Sequence, residues 1–412
     1  MTKEEIQQKV YKDLRDEPNI VLKWATGIGK SKETIDIINY KINKAKKKLS
    51  VLLVVAETAH KDNWQKEFNK WKLSDCNLTI ECYASLKNYK QTNWDIIIFD
   101  EAHHLFSDIR LSIIENIKAS NVIVLSATLK DIYIDTLCEL YGSFKVSSVS
   151  LQYAIENNIL PKPKVFLIPL ELDNKIPNIE IKESWGNKEK QVELTCEFLK
   201  RYHFRNRKKY PSAKLTIKCT QQQAYNIINK DYEYYRLQYL KMRKEYFKNL
   251  WLQEGSKRKR LLGTCKTDDV KLLINKLEKE NKRFVCFCTN IEQAETFNSE
   301  NCIHSQKQNS LQTIDDFNNN KINSLYAIGM IQEGQNLNNI QTGIIVQLDN
   351  AERAFIQKFG RTLRSDSPEQ YIFYYKNTRD EEFLNNCLEN VNMDYVVTID
   401  NYKDFINGKT CY

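Results

Sequence analysis

Several things are missing from this sequence, and each absence narrows what it can be. No apolar run approaches the ~18 residues that a membrane-crossing helix needs. The opening stretch MTKEEIQQKVYKDL is charged and amphipathic where a secretory leader would carry an apolar segment. The eleven cysteines have no metal-ligand spacing. Cys286 and Cys288 come nearest, but CxC on a stretch that reads as a strand is not the CxxC half of a zinc site. Scattered, odd-numbered cysteines read as reduced thiols, so a cytoplasmic protein with no membrane partner is expected. Acidic residues are scarce in one segment only. Between residues 200 and 260, 18 lysines and arginines face four acids, while elsewhere 44 basic residues face 49 acidic ones. The net charge of +9 therefore originates in that one segment, which needs its own explanation.

A second shortage is local. No carboxylate lies between Arg353 and Arg364, although QKFGRTLR at 357–364 holds Lys358, Arg361 and Arg364. On a helix Arg361 and Arg364 share a face, and guanidinium groups this close repel unless an anion meets them. Taken alone, the cluster also fits a solvated basic helix end. Any anion has to be found in the rest of the chain.

What is present supplies one. NIVLKWATGIGKSKETIDIIN runs from a buried strand over 19–24 into a helix on which Ile35, Ile38 and Ile42 recur at helical spacing. Between them, ATGIGKS at 25–31 has the form of a phosphate cradle. Gly27 and Gly29 let backbone N–H groups turn inward, with Thr26 and Ile28 completing the loop, at the N-terminus of a helix. Lys30 then reaches the terminal phosphates and Ser31 holds Mg²⁺. Ala25 stands where the full P-loop pattern has a further glycine. WDIIIFDEAHH gives a strand over 96–99 that ends in Asp100 and Glu101. Two carboxylates at the end of a buried strand are costly without a cation. At a nucleotide site Asp100 would bind Mg²⁺ and Glu101 would orient or deprotonate the attacking water. VIVLSATL adds another buried strand, ending in Ser126, Ala127 and Thr128.

In order and spacing, ATGIGKS, DEAHH and SAT resemble motifs I, II and III of superfamily 2 helicases. VLLVVAETAHKDNWQKEF is similar to their motif Ia with the Trp-x-x-Glu that often follows. Gln7 stands where such proteins often carry an adenine-reading glutamine. IGMIQEGQNL resembles motif V, with Glu333 and Gly334 in place and Asn336 where aspartate is frequent. QKFGRTLR resembles motif VI, QRxGRxxR, and departs from it at Lys358. The resemblance implies two RecA-like parallel-sheet α/β domains in tandem, at 1–160 and 161–412. It also implies ATP and Mg²⁺ in the cleft between them, with Arg361 and Arg364 as arginine fingers on the γ-phosphate and Gln357 helping to hold the water. ATP is then the anion that the arginines lack. Around the later motifs the text most resembles phage repair helicases and the helicase part of type III restriction enzymes, without a nuclease or methyltransferase segment.

Residues 174–264 match no such motif and are expected to be a basic, mainly helical insert in the second domain. Tyr232, Tyr235, Tyr239, Met242, Tyr246 and Leu250 recur at three- and four-residue steps, as on one amphipathic helix with Lys and Arg on its other face. The aromatic stripe is also what a core-facing helix would show. The charge excess points instead to a phosphate backbone, and Lys257, Arg258, Lys259 and Arg260 are the candidate contacts. The expected function is an ATP-dependent helicase or translocase on nucleic acid, single-stranded or branched, with DNA favoured over RNA. The alternatives are a duplex translocase that does not unwind, or an ATP-switched DNA-binding subunit of a repair, replication, restriction or defence complex.

Overall fold

The computed structural model describes residues 2–185, 192–195, 212–328, 337, 340–348, 365–388 and 391–408. The chain opens with α1 (Lys3–Leu14), started by a capping box between Thr2 and Glu5. A first α/β unit follows: β1 (Asn19–Trp24), α2 (Lys30–Ala45), β2 (Ser50–Val55), α3 (Thr58–Lys70), β3 (Asn77–Cys82), β4 (Asn93–Phe99), α4 (Asp108–Ile114), β5 (Lys118–Ser126), α5 (Asp131–Tyr141) and β6 (Lys145–Val149). Its strands form one sheet in the order β3-β2-β4-β5-β1-β6, and every pairing is parallel. Parallel strands are covered on both faces and read as continuous apolar runs. Val21, Leu52, Ile97 and Val124 face one layer of the core, and Ile20, Val51, Ile98 and Ile123 the other.

After α6 (Leu151–Glu156) the chain enters a second parallel sheet through β7 (Lys164–Leu170). That sheet has the order β12-β13-β11-β14-β15-β7-β16. Its other strands come much later: β11 (Phe284–Phe287), β12 (Cys302–Ile303), β13 (Ser324–Ala327), β14 (Thr342–Ile345), β15 (Glu369–Tyr375) and β16 (Val396–Thr398). The two parallel-sheet domains expected from the sequence are therefore present, and β7 pairs with β15 across the whole length of the insert.

The insert itself departs from expectation in two ways. It opens with a three-stranded sheet of β8 (Ile179–Trp185), β9 (Val192–Thr195) and β10 (Ala213–Cys219), in the order β8-β10-β9. The helical part is then two helices, α7 (Gln221–Met242) and α8 (Glu245–Cys265), where the sequence reads as one. Arg243 breaks the run in a left-handed conformation at φ 52°, its N–H bonded to the Tyr239 carbonyl. The helices fold back as a hairpin. Tyr232 and Tyr239 of α7 face Trp251 of α8, with ring centroids at 6.0 and 5.9 Å. Beyond the hairpin α9 (Thr267–Lys279) returns to the second domain and buries Val270, Leu273, Ile274 and Leu277. Helices α10 (Ile291–Asn298) and α11 (Ser310–Asn318) follow β11 and β12 in turn, and α12 (Arg379–Leu388) follows β15.

Candidate active site

Register brings the three candidate motifs of the first domain to one sheet edge. In the parallel pairings Lys23 lies opposite Ser126, and Phe99 lies opposite Val124. The loop after β1, the acids after β4 and the hydroxyl residues after β5 thus emerge side by side at the carboxyl ends of the strands, where α/β sheets bind ligands.

The loop has backbone that only glycine adopts readily. Gly27 has φ 94° and Gly29 has φ 102°. At Gly29 an added Cβ would stand 2.3 Å from Gln7 Nε2, and at Gly27 one would stand 3.3 Å from Leu160 Cδ2. Helix α1 pins the loop from above. Lys3 Nζ donates to the Gly27 carbonyl and Gln7 Nε2 to the Ile28 carbonyl, both at 2.8 Å. Gln7 is buried, and its Oε1 accepts from Lys32 Nζ at 3.4 Å. Gln7 therefore braces the loop backbone, and Ile28 contributes only its main chain because its side chain lies in the core. Lys30 begins α2 and donates its ammonium to the Trp24 carbonyl at 2.8 Å. Thr26 and Ser31 are half-buried beside it.

Asp100 and Glu101 continue from β4 as the spacing requires. Asp100 Oδ2 accepts the indole N–H of Trp64 at 2.7 Å, and Oδ1 accepts the Glu101 backbone N–H at 3.0 Å. Burial, followed by the neighbouring Glu101 carboxylate, raises the Asp100 pKa, against the opposing pull of Trp64, His60 and Lys30. Glu101 sits in left-handed backbone at φ 47°, which turns its carboxylate toward His103 Nδ1 at 3.4 Å. The ionised Asp100 thus has less positive charge around it than its burial calls for. That deficit, beside Ser31 and Lys30 on a glycine cradle, fits Mg²⁺ and a nucleotide phosphate chain.

Sequence reasoning missed several of these partners. Trp64 was visible as part of the motif Ia text, but nothing in that text indicated a bond to Asp100. Lys3, which donates to the Gly27 carbonyl, carried no signal at all. Glu333, Gly334 and Asn336, and likewise Gln357, Arg361 and Arg364, lie outside the described residues.

The candidate contacts of the insert divide. Lys257 and Arg260 are exposed and Lys259 is half-buried on α8, with Lys257 paired to Glu254 at 2.6 Å. Arg258 is a correction. It is 4% exposed, its guanidinium lies 3.9 Å over the Tyr232 ring, and Asn229 Oδ1 accepts from it. Successive helix residues are about 100° apart, so four in a row cannot all face a backbone, and this one holds the hairpin together. Exposed apolar side chains gather near the other end of the hairpin: Tyr234, Leu237, Leu240, Met242 and Tyr246.

A glycine cradle and a carboxylate pair at one sheet edge, followed by a second parallel sheet, define a two-domain nucleotide hydrolase of RecA-like architecture. The family described as "Type III restriction enzyme, res subunit" matches residues 1–89 and 72–131, and "Helicase conserved C-terminal domain" matches 265–366. The chain is a superfamily 2 helicase that hydrolyses ATP. No curated protein sequence matches it. S. cerevisiae Dbp5 bound to RNA and ADP BeF3 is similar in fold, with TM-score 0.61 and 10% identity over 98% of this chain and 92% of that one. A point variant of Dbp5, bound to the same ligands, gives TM-score 0.60 at 10% identity, over 98% and 93%. The Hef helicase domain of Pyrococcus furiosus is 15% identical over 92% of this chain and 96% of that one, at TM-score 0.49. Among the described residues no helix is long and apolar enough to cross a membrane, and no group of three or more His, Cys, Asp and Glu side chains could hold a metal by itself.

Proposed function

We propose that this helicase is a DNA translocase that opens or travels along single-stranded or branched DNA. Residues 1–160 and 161–412 act as its two motor domains, and residues 174–264 act as its grip. The observation that carries the nucleotide half of this reading is the juxtaposition of Asp100 with the glycine cradle. Ser31 and Asp100 would hold Mg²⁺, which when bound neutralises charge on the phosphates. Lys30 exchanges its Trp24 carbonyl for a phosphate oxygen. Glu101, turned toward His103 by its left-handed backbone, orients the attacking water and takes its proton. Arg361 and Arg364, with Gln357, complete the charge stabilisation from the second domain. Glu333, Gly334 and Asn336 couple that domain to the nucleotide.

DNA is favoured because the first domain matches a restriction-enzyme family. For the grip, support comes from the hairpin. Lys257, Lys259 and Arg260 line α8, while Lys241, Arg243 and Lys244 are exposed at the turn among Leu240, Met242 and Tyr246. Cations interleaved with exposed aromatic and apolar side chains suit a phosphate backbone with unstacked bases. The deciding experiment measures ATP turnover and strand displacement on single-stranded, duplex and forked DNA and on RNA of the same sequences. Turnover stimulated by single-stranded or forked DNA, with displacement, supports the reading. Stimulation by RNA alone overturns the choice of DNA, and stimulation by duplex without displacement turns the helicase into a duplex translocase.

A further inference from the structure

Two side chains from other elements hold the turn that follows β4. Tyr83 opens the 3₁₀ turn Tyr83–Tyr89, directly after the edge strand β3. It is 2% exposed, and its hydroxyl donates to the backbone carbonyl of Asp100 at 2.9 Å. Its ring centroid lies 6.1 Å from that of His104. The guanidinium of Arg110, on α4, stands 5.7 Å from the centre of the Tyr83 ring and donates to the His104 carbonyl. Tyr83 and Arg110 thus bond the first and last residues of the 100–104 segment.

The backbone between these two anchors is strained. Glu101 has φ 47°, a left-handed conformation that residues with a side chain avoid and that persists only where surrounding contacts over-determine it. The peptide joining Asp100 to Glu101 sets that angle, and both of its polar atoms are engaged. Its carbonyl accepts from Tyr83, and its N–H donates to Asp100 Oδ1 at 3.0 Å. The Glu101 carbonyl accepts the His104 N–H at 3.0 Å, which closes the turn onto the residue that Arg110 holds. The Asp100 N–H donates to the Val54 carbonyl at 2.9 Å, so β2 fixes where the turn begins.

A buried tyrosine needs a partner for its hydroxyl, and many carbonyls could serve. This hydroxyl meets the one peptide whose orientation decides where Glu101 points. Rotating that peptide by half a turn would break the Tyr83 bond and return Glu101 to negative φ, and its carboxylate would leave its place beside His103. The Asp100 carboxylate has a separate support in Trp64, so loosening the turn frees Glu101 first.

We propose that Tyr83 and Arg110 are positioning residues for ATP hydrolysis: they hold the 100–104 turn in the left-handed form that sets the direction of the Glu101 carboxylate. The proposal rests on the reading of Glu101 as the residue that orients the attacking water. ATP binding draws on Lys30, Ser31 and Asp100, whereas activation of the water draws on Glu101. A loosened turn therefore lowers kcat and spares KM, while a packing defect lowers stability and the amount of active protein.

The test compares the full-length protein with Tyr83→Phe, which deletes one oxygen and keeps the ring. The probes are ATP and whichever of poly(dT) and poly(U) stimulates turnover. The expected result is a stimulated kcat lowered by about tenfold or more, with KM for ATP and Kd for the strand within about twofold. The same substitution is then made in Glu101→Gln and read by single turnover of radiolabelled ATP. With the carboxylate gone its direction no longer matters, so Tyr83→Phe changes the residual rate by less than about twofold. Parental kcat in Tyr83→Phe, or an equal factor of loss in both backgrounds, overturns the proposal. If Tyr83→Phe does not fold, Arg110→Gln carries both measurements. A lower kcat that disappears in the Glu101→Gln background then supports the proposal, and an unchanged kcat overturns it. Full turnover in Glu101→Gln alone would remove the underlying reading, whereas a stalled Glu101→Gln with full turnover in Tyr83→Phe would remove only the positioning role.

Discussion

The indole N–H of Trp64 is bonded to a carboxylate oxygen of Asp100 at 2.7 Å, which joins a helix of the motif Ia region to the proposed metal ligand. Hydrogen bonding to the charged form of an acid favours ionisation, and Trp64 acts in that direction while burial and Glu101 act against it. Only the ionised carboxylate binds Mg²⁺. Removing the bond in Trp64→Phe raises the Asp100 pKa further, so the acid limb of the ATPase pH profile moves to higher pH. Turnover falls more at pH 6 than at pH 8. A profile that drops evenly at all pH values would show that Trp64 acts through packing alone.

Lys30→Ala and Glu101→Gln separate binding from chemistry. Lys30 supplies charge to the phosphates, so its loss abolishes hydrolysis while the circular dichroism spectrum stays that of the parent. Glu101→Gln keeps Asp100 for Mg²⁺ and loses the base, so it binds ATP and stalls. Equilibrium binding of a fluorescent ATP analogue distinguishes the two. If Glu101→Gln fails to bind nucleotide, Glu101 serves binding or structure instead.

The contrast between these sites and the insert explains what the sequence could reveal. Strands β1, β2, β4 and β5 carry continuous apolar runs, at 20–22, 51–55, 96–99 and 122–125, because both faces of a parallel sheet are covered, and the loops that follow them must supply phosphate and metal chemistry from very few residue types. Both constraints are local and therefore readable. The break at Arg243 is not, since no glycine or proline marks it and the α7–α8 packing alone selects it. Arg258 looked like its three basic neighbours, and only the position of Tyr232 on the facing helix distinguishes it.

Arg361→Ala and Arg364→Ala each lower kcat by about 10³-fold if they meet the γ-phosphate as arginine fingers do. ATP affinity without nucleic acid changes far less, because the fingers engage only when the domains close. Stopped-flow binding and steady-state turnover on the same preparations check this. Equal losses in the two would mean that the arginines bind the ground state.

Glu33 offers a stability test independent of catalysis. It is buried, its Oε1 has no partner among the described residues, and burial, with Asp36 adding, pushes its pKa up to about 8. The folded protein therefore takes up a proton that the unfolded chain releases near the ordinary carboxyl pKa. The stabilisation is complete below that value and is lost as pH rises toward 8. Glu33→Gln cannot titrate, so its stability relative to the parent should rise by about 2–3 kcal/mol between pH 5.5 and 8. Urea melts at both pH values measure this. Parallel pH dependence in parent and variant would mean that Glu33 stays ionised with a partner.

The hairpin prediction follows from the division among its basic residues. If Lys257, Lys259 and Arg260 contact phosphates, their joint replacement by glutamine lowers the slope of log K against log salt by about 0.7–0.9 per contact, or about 2–3 units for all three. Binding weakens in proportion at low salt, and half-maximal stimulation of turnover needs more nucleic acid to reach the same plateau. Arg258→Gln behaves differently. It removes the stacking on Tyr232 and the bond to Asn229, so it lowers the melting temperature, while the salt slope changes little in the protein that remains folded. Anisotropy titrations at several salt concentrations, with melting curves on the same variants, test both statements together. An unchanged slope in the triple variant would make the surface charge of α8 incidental. A full-unit fall in slope for Arg258→Gln alone would mean that this buried guanidinium turns outward to meet the strand.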